Sequence, residues 1–112
     1  MECVLSKLEI PKGKSSIEHI APKHWLPVEL YSLKENKAPA IKVFNFIKSD
    51  LFLCQWYDQR ITLCYKAIDR WHIKSKDKKL VAQGIDNFRH LHWENPCSLC
   101  VCRGTEYCIR QR

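Results

Sequence analysis

Six residues able to ligate a metal fall within nineteen positions near the C-terminus: His90, His92, Cys97, Cys100, Cys102 and Cys108. Cys97-Ser98-Leu99-Cys100 has the two-residue spacing of a zinc knuckle, which lets two thiolates reach one tetrahedral ion at ~2.3 Å each. This constrains the fold more than any other feature. The segment is interrupted by Pro96, contains Gly104 and has few large apolar residues, so a metal would have to supply the order that a hydrophobic core supplies elsewhere. The best shell is His92, Cys97, Cys100 and Cys108. His90 and Cys102 are local alternates, and Cys54 and Cys64 are distant ones that would make the shell partly long-range. Four protein ligands leave no open position for water, so the expected zinc is structural.

Seven cysteines in 112 residues would suggest disulfides in a secreted chain, but in a reducing compartment the same count points to metal binding or buried thiols. The N-terminal residues carry no apolar run of signal-peptide length, and no stretch approaches the ~20 apolar residues of a membrane span. The expectation is an intracellular protein, nuclear and cytoplasmic, without membrane contact. Its formal charge of +7 favours acidic partners or nucleic acid without choosing between them. With 46% hydrophobic residues and no low-complexity or repeated stretch, residues 1–112 read as one domain, with a strand-rich core over 1–73 and a helix plus Cys/His tail over 74–112.

The patterns predict an α+β fold with a small antiparallel sheet, one or two helices and a zinc-stabilised C-terminal tail. Residues 2–10 alternate loosely as a first strand, and Pro11 to Ser16 read as a turn-rich break. Between Ile17 and Pro39 three prolines (Pro22, Pro27, Pro39) allow at most a brief helix, and Val28 to Leu33 could instead be a strand. The β-branched and aromatic runs Ile41 to Lys48 and Leu51 to Tyr57 flank Ser49-Asp50 and predict a hairpin. Over Arg60 to Ile73 a helical stripe (Ile61, Tyr65, Ile68, His72) competes with strand composition, and both readings stand. Val81, Ile85, Phe88 and His92 recur at helical spacing, favouring a helix from Lys78 to Trp93 despite Gly84, while a competing strand would put Phe88, His90 and His92 on one face.

Two further patterns bear on function. His92-Trp93-Glu94 followed by Pro96-Cys97-Ser98-Leu99-Cys100 contains the H-x-E and P-C-x-x-C elements of zinc deaminases in the right order. Only Asn95 separates Glu94 from Pro96, too short a link to let the two elements start separate helices around a metal, so no enzyme is expected. Trp93, Arg89, Arg103, Lys74 and Lys76 offer the aromatic and basic mixture of a nucleic-acid binder. A zinc-containing nucleic-acid-binding regulatory protein is therefore the alternative reading.

The residues Gly84-Ile85-Asp86-Asn87-Phe88, Leu91-His92, Pro96-Cys97-Ser98-Leu99 and Gly104 resemble the Cys/His-rich segment of adenovirus early-region-four proteins of the thirty-four-kilodalton class. The resemblance covers about a fifth of the chain. Where that family continues Leu-His with a Cys-His-Cys run, this chain has Trp93-Glu94. The resemblance implies a viral early accessory protein that binds host proteins in the host nucleus, with recruitment of a cullin ubiquitin-ligase complex as the family's mode of action. That host-virus interaction, with zinc as cofactor, is the function expected from the sequence.

Overall fold

A computed structural model describes residues 1–91 and 96–111. Two short strands, β1 (Ser15–His19) and β2 (Lys37–Ile41), pair antiparallel, with Ser15 opposite Ile41 and His19 opposite Lys37. Four helices accompany them: α1 (Val28–Tyr31), α2 (Lys42–Lys48), α3 (Leu53–Arg70) and α4 (Ser75–His90). The α+β class and small antiparallel sheet therefore stand, but the first half is richer in helix than its residue types suggest. No described helix is long and apolar enough to cross a membrane.

The expected hairpin over Ile41 to Tyr57 is replaced by α2 and the start of α3. Val43, Phe44 and Ile47 give α2 one buried face, and Leu53, Trp56, Cys64 and Ala67 give α3 another. Those spacings are helical, and packing against the rest of the chain outweighs the strand preference of the individual residues. The α3 stripe is hard to read in sequence because its middle position is Arg60. That side chain lies over the rings of Tyr57 and Phe88, with its guanidinium carbon 4.2 Å and 5.1 Å from their centroids. Ser49-Asp50 does break the chain, with Ser49 at φ 52°.

Residues 2–10 form a compact double-backed turn instead of a strand. One bridge joins Glu2 to Glu9, and Lys7 adopts φ 63°. Its reward is burial: Cys3 and Leu5 are inaccessible, and the indole N–H of Trp56 donates to the Leu5 carbonyl at 3.0 Å. Val28 to Leu33 likewise begins as helix α1, for which Pro27 supplies the extended residue before the first turn.

The main core lies between α2, α3 and α4, where Phe44, Trp56 and Phe88 meet edge to face with centroids 6.2–6.5 Å apart. Gly84 is explained here. A Cβ at that position would lie 2.5 Å from Cζ of Phe44, so α4 can approach α2 only without a side chain. A second, smaller core gathers Ala21, Leu26, Phe52, Cys54, Cys102 and Cys108. Buried Asn36 holds the loop beneath it by exchanging hydrogen bonds with the Ala21 backbone at 2.8 and 2.9 Å.

Candidate metal centre

The tail is a series of tight turns, each setting up the next sulfur. Pro96–Leu99 is a 3₁₀ turn packed against α3, closed by the Cys100 N–H donating to Cys97 O at 3.2 Å. Cys102 O then accepts from the Thr105 N–H at 2.9 Å and from the Thr105 hydroxyl at 2.6 Å. Gly104, at φ 79°, takes the left-handed conformation that this turn requires. Cys108 N–H donates to Thr105 O at 3.2 Å. Cys102 and Cys108 are thereby turned inward, while Cys97 and Cys100 are half-buried.

A fifth thiol meets these four. Cys54 stands in the first turn of α3, whose start is fixed by the Phe52 N–H donating to Gln55 Oε1 at 2.9 Å and the Leu53 N–H donating to Ile20 O at 3.0 Å. Cys54 packs in the second core with Cys102 and Cys108, and Cys100 packs against both cores. Arg110 clasps the tail onto the same helix turn, donating to Cys54 O at 3.3 Å and to Asp58 Oδ2 at 2.7 Å.

Burial raises the pKa of the Cys97 thiol, and the neighbouring Cys54 adds to the effect. Cys102 is pushed up first by burial, then by its hydrogen bond with Cys100. These are therefore thiols at neutral pH until something displaces their protons, as a bound metal does. Two cations lie beside the thiols, each already paired with a carboxylate, Arg110 with Asp58 and Lys48 with Glu18. Arg110 is held above its usual pKa chiefly by its hydrogen bond to Cys54. Lys48 is inaccessible, donating to Glu18 Oε1 at 2.8 Å and His19 O at 3.1 Å. Desolvation lowers the Lys48 pKa most, while Glu18, Asp50 and Cys100 pull it back up.

Among the described residues, no group of three or more His, Cys, Asp or Glu side chains already stands in metal-holding geometry. The sulfurs of Cys100 and Cys102 are 2.7 Å apart, whereas two ligands of a tetrahedral zinc at ~2.3 Å stand roughly 3.8 Å apart. With the sulfurs so close, only one of this pair can serve as a ligand to one ion. The donor chemistry fits zinc: five thiols near one another, two nearby cations, and a tail with little apolar content of its own.

Of the ligands expected from sequence, Cys97, Cys100, Cys108 and the alternates Cys102 and Cys54 are brought together. Cys64 is not. It lies ten residues along α3 from Cys54, roughly 15 Å of helix rise, inside the main core, where burial pushes its thiol pKa up to about 12. His90 ends α4 as an exposed side chain 3.9 Å from Asp86. His92, Trp93 and Glu94 lie outside the described residues, so neither the His92 ligand nor the deaminase-like Glu94 is placed.

The expected nucleic-acid set is dispersed. Lys74 and Lys76 stand at the start of α4, while Arg89, at its other end, is hydrogen-bonded to the Tyr65 hydroxyl. Fifteen residues of helix separate Lys74 from Arg89, roughly 22 Å, and Arg103 is an exposed tail residue. The buried Lys48–Glu18 pair has no counterpart in the sequence reading. It becomes legible only once residues 42–48 are seen as a helix, since Lys48 lies four positions from buried Phe44.

Comparison of the chain with protein-family models, with curated proteins and with solved structures gives no match.

Proposed function

We propose that the chain is a zinc-stapled protein-binding module. The observation that carries this reading is the meeting of Cys54, from the start of α3, with the cysteines of the tail. The shell we assign is Cys54, Cys97, Cys100 and Cys108, with Cys102 behind it as a hydrogen-bonding partner of Cys100. This keeps three of the four ligands expected from sequence and replaces His92 by Cys54. Zinc would complete four-coordinate, closed ligation, so its work is to hold the tail on α3 and not to activate water.

Holding the tail there has a consequence for binding. A pocket of about 390 Å³ is lined by Trp25, Leu51, Phe52 and Ile109, with Ser49, Asp50 and Gln55 at its polar side. Trp25 is 51% exposed although it is among the largest apolar side chains in the molecule. Ile109 belongs to the tail, so one wall of the pocket depends on the tail being seated. An apolar side chain of a protein partner fits such a pocket, with an aromatic anchor as its strongest contact.

The resemblance to adenovirus early-region-four proteins supports placing that partner among host proteins in the nucleus, with a cullin ubiquitin-ligase complex as the first candidate. The test is affinity purification of zinc-loaded chain from host cells, beside a Trp25→Ala variant. Recovery of a cullin complex by the parent and its loss in the variant is the expected result. Recovery of ribonucleoproteins only, in an RNA-dependent manner, would replace this reading by the nucleic-acid one.

A further inference from the structure

Phe46 is an anomaly on α2. The helix buries Val43, Phe44, Ile47 and Lys48, yet Phe46 on its outer side is 66% exposed. Its ring meets Trp71 edge to face, with centroids 5.8 Å apart and planes at 81°. Trp71 is fixed where α3 ends, its N–H donating to Ala67 O at 3.3 Å and its own carbonyl accepting from the Ile73 N–H at 3.0 Å. The pair therefore stands on ordered backbone from two elements.

Two adjoining depressions, about 280 and 480 Å³, share Phe46 and His72. Their charged lining is one-sided. Lys42 and Lys74 line the first and Arg70 the second, all exposed. The carboxylate in the lining, Asp77, is engaged by another cation, Lys14, at 3.5 Å. Two aromatic rings are thus flanked by positive charge on both sides.

We propose that this face binds single-stranded nucleic acid. An exposed ring stacks on any unpaired base, and cations spaced around it meet the phosphates on either side. A duplex hides its base faces, so the aromatic pair selects a single strand. An acidic peptide would satisfy the cations but leave the Phe46 face without a planar partner. The site uses none of the residues assigned to zinc, and apart from Lys74 it differs from the set expected from sequence.

The experiment is fluorescence anisotropy of the full chain with a labelled oligothymidylate of about twelve nucleotides, long enough to span one stacking platform and its flanking phosphates. Raising salt from about 50 to about 200 mM should lower affinity about twentyfold, as roughly three phosphate contacts to a single strand require. Phe46→Ala, a change at an exposed position, should weaken binding roughly tenfold with the circular dichroism unchanged. The charge reversal Lys42→Glu with Lys74→Glu should do at least as much. Lys34→Glu, at an exposed lysine that lines neither depression, should leave affinity within about twofold apart from its general charge. Four results would overturn the assignment: absence of binding at low salt, a duplex bound as tightly as the single strand, Phe46→Ala equal to the parent, or polyglutamate competing as well as the oligonucleotide.

Discussion

The molecule has two cores built on different principles. The main one is held by large apolar surfaces, Phe44, Trp56, Phe88, Ile41, Leu53 and Val81 among them. Burial of such side chains stabilises by about 1.5–3 kcal/mol each before conformational entropy is set against it. The second core is smaller: it buries Ala21, Leu26, Phe52, Cys54, Cys102 and Cys108, with Leu30, Tyr31, Val101, Tyr107 and Ile109 packed partly buried against it. Its thiols bury less area than large apolar side chains do, so the apolar hold on the tail is weaker than the cohesion of the main core. The zinc proposed above would add to that hold.

The seam between the cores is the place to break this comparison most severely. Lys48 and Glu18 are buried there, with side chains 0% and 4% exposed, and Glu18 Oε2 is buried without a hydrogen-bond partner among the described residues. Lys48→Met should cost about 3–5 kcal/mol, because it strands a buried carboxylate. The double variant Glu18→Leu, Lys48→Met should regain most of that stability, since the penalty lies in the unpaired charge. Urea unfolding of the three proteins checks both statements. Equal destabilisation in the single and double variants would mean that shape, not charge, dominates the seam.

A smaller blow falls on the main core alone. Gly84→Ala gains about 1 kcal/mol of helix propensity, but its Cβ would sit 2.5 Å from Phe44. Overpacking typically costs about 1–3 kcal/mol, so the net effect is destabilisation of order 1 kcal/mol. Denaturant midpoints should show this while metal content stays at the parent value. Loss of metal together with stability would show that the two cores are not independent.

An effect absent at neutral pH distinguishes a thiol that serves packing from those assigned to metal. The Cys64 pKa is raised from 9.0 to about 12 in the folded chain. A raised thiol pKa leaves stability unaffected below the unfolded value and removes it as pH climbs toward the folded one. Between those limits the parent should lose up to about 1.4 kcal/mol per pH unit more than Cys64→Ala. Parallel pH profiles for the two proteins would remove Cys64 from the account of alkaline stability.

The differing physics also governs what the sequence discloses. The Val81, Ile85, Phe88 stripe announces α4 because the apolar residues keep helical period, and the observed helix, Ser75–His90, differs from the expected one mainly at its ends. The hairpin expected across Ser49-Asp50 fails because Ile41 to Tyr57 combines strand-forming residue types with helical burial spacing, and only the packing partners decide between them. Cys97, Cys100 and Cys108 could be grouped from their proximity along the chain. Preference for Cys54 over Cys64 required the fold, since both are cysteines on one helix and only the first faces the tail. The Phe46–Trp71 face was hidden for the same reason: within an apparent strand, Phe46 has no reason to stand apart from its neighbours.

The most direct test of the comparison is metal analysis of protein prepared under reducing, chelator-free conditions, made on the parent, Cys54→Ser and Cys64→Ala after each is shown to be folded. About one zinc per chain is expected in the parent and in Cys64→Ala, with Cys54→Ser retaining far less and its tail becoming open to proteolysis. Since the Cys97 ligand carries a raised pKa, binding in the parent should also weaken as pH falls and protons compete for sulfur. No zinc in the parent, or equal zinc in parent and Cys54→Ser, would contradict a metal that staples the tail to α3.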